Sequence, residues 1–194
     1  MAQEVVLVRH GETEWSKALR HTGSTDIPLT EEGRRQAERI GPALRGRSFA
    51  LVLTSPLQRA AETCRLAGFG DVAQTRDELL EWDYGDYEGR RTVEIREEVP
   101  GWTVFRDGAP NGETAEQVGA RVDGLLEEVR AVEGDVLLFA HGHLLRVLTA
   151  RWLGLDPGEG RVFALDPATL SVLGHERETS VLRLWNGKST ELRR

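Results

Sequence analysis

The apolar positions of this chain follow two periods. Val5-Val6-Leu7-Val8, Phe49-Ala50-Leu51-Val52-Leu53 and Asp135-Val136-Leu137-Leu138-Phe139-Ala140 are short, almost unbroken apolar runs. Such runs predict strands buried on both faces. Between them the apolar residues recur at helical spacing. Ala37, Ile40 and Leu44 give one face to a helix opening at Thr30, with Glu31 and Glu32 in its first turn and Pro42 expected to kink or end it. Leu57, Ala60, Ala61 and Cys64 predict a helix over about 56–67, with Ser55 as its cap and Pro56 at its first position. Val118, Val122, Leu125, Leu126 and Val129 line a helix from the capping box Thr114–Gln117 to about residue 132. Leu144 to Leu153 is a further apolar helix, and turn formers make 16–29 a loop. Val162-Phe163, Leu170 to Val172 and Val181 to Leu184 read as two or three strands in the tail. Strands alternating with helices over short links predict an α/β fold.

Residues 79–113 break both periods. Apart from a short helix expected from Thr92, they form a long irregular stretch rich in Trp, Tyr and Gly. Such a stretch inside a compact domain is usually functional or disordered, and its aromatic content argues for the former.

The chain has 194 residues, suited to a single domain. A net charge of −7 speaks against a nucleic-acid binder. Arginines gathered at one place would therefore be a local device. The lone cysteine, Cys64, excludes an internal disulfide and reads as a packing residue in a reducing compartment. No membrane span and no signal-peptide pattern is expected, so a cytoplasmic location is anticipated. The oligomeric state stays open, a homodimer being one option.

The chemistry gathers at strand ends. The first run stops at Arg9-His10-Gly11, the second leads to a helix carrying Arg59, and the third stops at His141-Gly142-His143. If the strands are parallel, their carboxyl ends meet where α/β sheets bind ligands. Two arginines, two histidines and a helix N-terminus at Gly142 suit a tetrahedral dianion. A neutral imidazole is a competent nucleophile toward phosphorus. Glu81, in the irregular stretch, is the candidate acid. His21, His143 and His175 read as solvated or structural, and the spacing of His141 and His143 lacks the carboxylates a metal pair would need. No cofactor is expected.

These residues, together with Glu12-Thr13, His21-Thr22-Gly23, Thr54-Ser55-Pro56, Thr63, Glu81 ahead of Tyr84-Gly85-Asp86-Tyr87-Glu88-Gly89, and Asn111-Gly112-Glu113-Thr114, resemble the histidine phosphatase superfamily in its phosphoglycerate mutase-like branch. The resemblance runs nearly the whole length. It implies a three-layer α/β/α sandwich with a mostly parallel central sheet. It implies that His10 becomes phosphorylated, that Arg9, Arg59 and His141 hold the phosphoryl oxygens, and that Glu81 serves as acid and then base, without a metal. Ser16, Thr22, Gly23, Tyr84 and Gly142 match substrate-side positions. Residues 79–113 would act as a specificity cap, with Trp82, Trp102 and Arg106 as further candidates.

Within that family, mutases carry Asn where this chain has Ser16 and Lys at the position of Thr92, and have an insertion absent here. These departures favour hydrolysis of small phosphorylated metabolites, sugar phosphates among them. The blocks look most like acid phosphatases and sedoheptulose bisphosphatase-like enzymes. A phosphoglycerate mutase is the alternative, and a non-catalytic phosphoester-binding or protein-recognition module a remote one.

Overall fold

The computed structural model describes residues 3–190. Its centre is β1 (Val5–Arg9), whose four apolar residues are all essentially inaccessible to solvent. Alternation along the strand sends Val5 and Leu7 into one apolar cluster and Val6 and Val8 into another. Each large aliphatic side chain so buried contributes about 1.5–3 kcal/mol.

The elements follow in order. A short helix α1 (Glu14–Lys17) precedes α2 (Glu31–Ala43), β2 (Leu51–Thr54) and α3 (Gln58–Leu66). Next come β3 (Gln74–Thr75), α4 (Thr92–Glu98), α5 (Val104–Asp107) and α6 (Ala115–Arg130). The chain then runs through β4 (Val136–Ala140), α7 (Gly142–Trp152), β5 (Leu170–Glu176) and β6 (Thr179–Gly187). The strands form one sheet in the order β3-β2-β4-β1-β5-β6. The pairs β3–β2, β2–β4 and β4–β1 are parallel; β1–β5 and β5–β6 are antiparallel.

Helices cover both faces. On one, α6 and α7 pack Val118, Leu125, Leu145 and Leu148 against Leu7, Leu53 and Leu138. On the other, Ile40 and Ala43 of α2 and Cys64 of α3 meet Val8, Val52 and Phe139. The result is the three-layer sandwich expected. Cys64 is a buried packing residue, and its thiol is pushed up to about 12 by burial.

Several local expectations need correction. Ser55 does not cap α3: the helix begins at Gln58 with Leu57 as N-cap, and Pro56 lies outside it. The Ser55 hydroxyl accepts from the Leu57 amide (3.3 Å) in the turn ahead of the helix and also meets the His141 ring (2.8 Å), so it serves a tertiary bond beside its local one. Val162-Phe163 is not a strand, because Pro157–Val162 winds as a 3-10 helix under α7. Part of the expected loop 16–29 belongs to α1, whose N-cap Thr13 forms a capping box with Ser16. The two-residue edge strand β3 had no apolar run to announce it. Pro42 is tolerated in the last turn of α2, which ends one residue later.

Candidate active site

The sheet brings the candidate residues together. Parallel pairing sets Arg9 beside Ala140 and Thr54 beside Phe139, so the chain leaves three neighbouring strands at one edge. The ladder runs one step further: His10 N–H donates to the Ala140 carbonyl (3.0 Å) and Ser55 N–H to the Phe139 carbonyl (2.9 Å). The His10 and His141 rings then lie edge to face with centroids 5.2 Å apart.

His10 has a defined tautomer. Its Nδ1 sits 2.8 Å from the Gly11 carbonyl oxygen, which can only accept, so Nδ1 carries the proton and Nε2 keeps its lone pair. Burial, then Arg59 and Arg9, push this imidazole well below its ordinary range. The loop behind it is fixed by backbone contact. A Cβ on Gly11 would lie 2.4 Å from the Gly33 carbonyl oxygen, and one on Gly33 would lie 2.1 Å from that of Glu12. The start of α2 therefore presses directly on the residues after His10.

Arg59 is fully buried. It donates to the carbonyls of Thr25 (3.0 Å), Thr22 (3.2 Å) and Gly23 (2.9 Å). That loop is latched by Glu88, whose carboxylate accepts from the Gly23 and Thr25 amides. Arg9 donates to the Leu165 carbonyl and lies against the start of α7, where a Cβ on Gly142 would come within 3.2 Å of its guanidinium carbon. Desolvation lowers both arginines, and the Glu81 charge opposes it. His141 Nε2 is 2.8 Å from the Ser55 hydroxyl. Three buried nitrogens around His10 have no partner: Arg9 Nε, Arg59 Nε and His141 Nδ1. Unpaired buried donors are costly, so a site that retains several is arranged for an acceptor.

Glu81 reaches the site from the irregular stretch. Its Oε1 accepts from the Trp82 and Leu144 amides (both 2.9 Å), and Oε2 from the His143 amide (3.1 Å). The carboxylate thus caps α7, where the helix dipole favours negative charge. Arg121 of α6 secures the approach by donating to the Glu78 and Leu80 carbonyls and pairing with Glu113 at 2.9 Å.

Arg9, His10 and Glu81 open onto a cavity of about 530 Å³, also lined by Ser16, Thr22 and Tyr84. Arg59, His141, Gly142 and Gly23 lie outside that lining. Gly23 is a packing residue, since a Cβ there would lie 2.5 Å from the Trp82 carbonyl oxygen. The Ser16 hydroxyl is engaged in its capping box. Trp82 and Trp102 are core residues, and Arg106 is exposed and bound to Asp107.

The cavity also recruits residues with no candidate role in the sequence. His21 and His143 line it. Tyr84 Oη is 2.7 Å from His143 Nδ1, and His21 Nε2 is 3.2 Å from the Thr92 hydroxyl. Burial lowers both imidazoles, His21 to about 4. The expectation that these histidines are structural is thus half of the picture, because each also forms cavity wall. His175 packs on Trp152 away from the site. Among the described residues no three His, Cys, Asp or Glu side chains are grouped to hold a metal, and no helix is long and apolar enough to cross a membrane.

Comparison with known proteins agrees with this geometry. The chain is 41% identical over 189 residues to an acid phosphatase of Mycobacterium tuberculosis, covering 93% of this chain and 92% of that one. It is 39% identical over 183 residues to the sedoheptulose 1,7-bisphosphatase of Saccharomyces cerevisiae, covering 77% and 67%. The solved structure of an open reading frame of Mycobacterium tuberculosis superposes with a TM-score of 0.91 at 38% identity, over 96% of this chain and 98% of the other. The model of the histidine phosphatase superfamily (branch 1) matches residues 5–188, and this chain belongs to that family.

Proposed function

We propose that this chain is a phosphatase of small phosphorylated metabolites, with sugar phosphates among its substrates, working through a phosphohistidine on His10. The observation that carries the reading is the lone-paired Nε2 of His10 beside three buried, unpartnered nitrogens. The relatives named acid phosphatase and sedoheptulose bisphosphatase support the substrate class.

In the first step His10 Nε2 attacks phosphorus, the bond to the ester oxygen breaks, and the leaving alkoxide takes a proton from Glu81. In the second, water attacks phosphorus, gives its proton to Glu81 and releases phosphate from the imidazole. Oε2 of Glu81 accepts a single backbone bond and so has room for that proton. Arg9 and Arg59 neutralise the equatorial oxygens, and the neutral His141 donates a hydrogen bond to them. In this scheme the Ser55 hydroxyl donates to His141 Nε2, which leaves the His141 proton on Nδ1, the atom without a partner. Positive charge in this scheme comes from side chains. Ser16, Thr22, Tyr84 and Gly142 act on the substrate side, Gly142 by letting Arg9 lie close. Residues 79–113 serve as a cap over a single domain, and the enzyme acts in the cytoplasm.

The test is steady-state hydrolysis of p-nitrophenyl phosphate and glycerol 3-phosphate, with acid-quench trapping of labelled enzyme. His10→Asn should lose activity by about 10,000-fold or more and trap no label. Transfer between 3- and 2-phosphoglycerate in place of hydrolysis would make the chain a mutase. A parent with neither activity would leave only a binding module.

A further inference from the structure

The outer end of the cavity has a property that the phosphoryl chemistry does not call for. Leu19 and Val93 both line it, and both are large apolar side chains left 78% and 59% exposed. The bridge between Arg20 and Arg91 brings their two segments together.

Leu19 is also conformationally anomalous. It follows α1 in the left-handed region, at φ 56°. Its own amide donates to the Ser16 carbonyl (3.2 Å) and that of Arg20 to the Trp15 carbonyl (2.9 Å). These two bonds define a Schellman ending, whose left-handed position is normally glycine because any Cβ is penalised there. Leucine at this place therefore strains the backbone and, being exposed, gains little from packing in return. Strain held without a packing gain points toward function. The wall beside it holds Ala18, Thr92 and an imidazole, His21, that burial keeps neutral, together with Arg20 and Arg91, whose guanidiniums are bound to the Gly89 carbonyl and the Glu94 carboxylate.

We infer that Leu19 and Val93 form an apolar lip that selects phosphomonoesters whose alcohol carries an alkyl or ring face at the end remote from phosphorus. The inference rests on the phosphatase reading and narrows its substrate class. The phosphoryl group sits among Arg9, His10 and Glu81, and the apolar end of the same molecule covers the lip.

The experiment uses the full chain with ethyl, butyl and hexyl phosphate and, as the polar reference, glycerol 3-phosphate. In the parent, kcat/KM should climb along the alkyl series. In Leu19→Gly the ratio of hexyl to glycerol phosphate should fall about tenfold, while Tm holds or rises because the strain is relieved. Val93→Ser should lower the same ratio. A flat alkyl series, or ratios unchanged in both variants, overturns the inference while leaving the phosphatase intact. A drop of several degrees in the Tm of Leu19→Gly overturns it too, by making Leu19 a structural residue. So does a parent dimer, seen by sedimentation, that Leu19→Gly dissociates, since the lip would then be a subunit contact. A parent that hydrolyses none of the four esters removes the phosphatase reading itself.

Discussion

The inner and outer halves of the cavity are built by different means. The inner half, where Arg9 and His10 line the cavity and Arg59 and His141 lie beyond the lining, grows from strand ends and the first turn of α3, and His10, Arg59 and His141 are buried. The outer half, from Ala18 to Thr22 and from Arg91 to Val93, stands on a turn and the first residues of α4, largely exposed. The sheet fixes position through backbone ladders that no single side chain controls. The outer half is held by individual bonds, such as the one between His21 and Thr92. Chemistry should therefore be sensitive to changes in the first region and selectivity to changes in the second.

After His10→Asn, the largest expected effect falls where the halves meet, at Glu81. Glu81→Gln keeps the shape but cannot give up a proton. Its kcat for glycerol 3-phosphate should fall about 1,000-fold, and for p-nitrophenyl phosphate far less, because that leaving group needs little protonation. Equal losses on both esters would show that Glu81 acts by capping α7 instead.

Arg59→Gln comes next, with kcat/KM down about 100-fold. It also strands loop carbonyls, at about 2–4 kcal/mol in a denaturant titration. Removing this charge takes away one of the causes that depress His10, so the His10 titration followed by NMR should move upward.

The inner half and the inner wall should also make the fold acid-labile. His10, His21, His141 and His143 are all lowered, chiefly by burial. Above the unfolded imidazole value of about 6.5 these groups are neutral in both states and contribute no slope. As pH falls below it, the unfolded chain takes up protons that the folded chain refuses. Each histidine then costs up to about 1.4 kcal/mol per pH unit until its folded value is reached, near 4 for His21. Urea midpoints that stay constant between pH 6.5 and 4.5 would contradict this. The smallest effect belongs to the outer half: Thr92→Val should cost about 1 kcal/mol and raise KM a few-fold with kcat unchanged. A large fall in kcat would erase the distinction between the halves.

The same division governs what could be read from the sequence. Strand-end residues are legible because a buried run and its stop residue are both local signals, and Arg9-His10 and His141-Gly142 follow directly. Arg59 needed only its helical first turn. Ser55 shows how a local signal can be displaced, since its hydroxyl keeps the Leu57 amide and adds His141 while the extended backbone of Leu57 starts the helix later. His143 was visible two residues after His141, but its pairing with Tyr84 spans 59 residues and has no periodic trace. Leu19 was hidden most completely. A leucine in a loop of turn formers announces neither its left-handed backbone nor its place at a cavity mouth. Trp82 and Trp102 erred in the opposite direction, because large aromatics in an irregular stretch were needed to give it a core.

The contact between Gly11 and Gly33 extends the active site to a place no inhibitor would touch. Position 33 faces away from solvent and carries no reactive group, yet a single methyl there must displace the turn that orients His10. A Gly33→Ala enzyme would keep every reacting atom and still misalign the attack. Sequencing a defective variant would then point to a helix, while the fault lay in the aim of the imidazole.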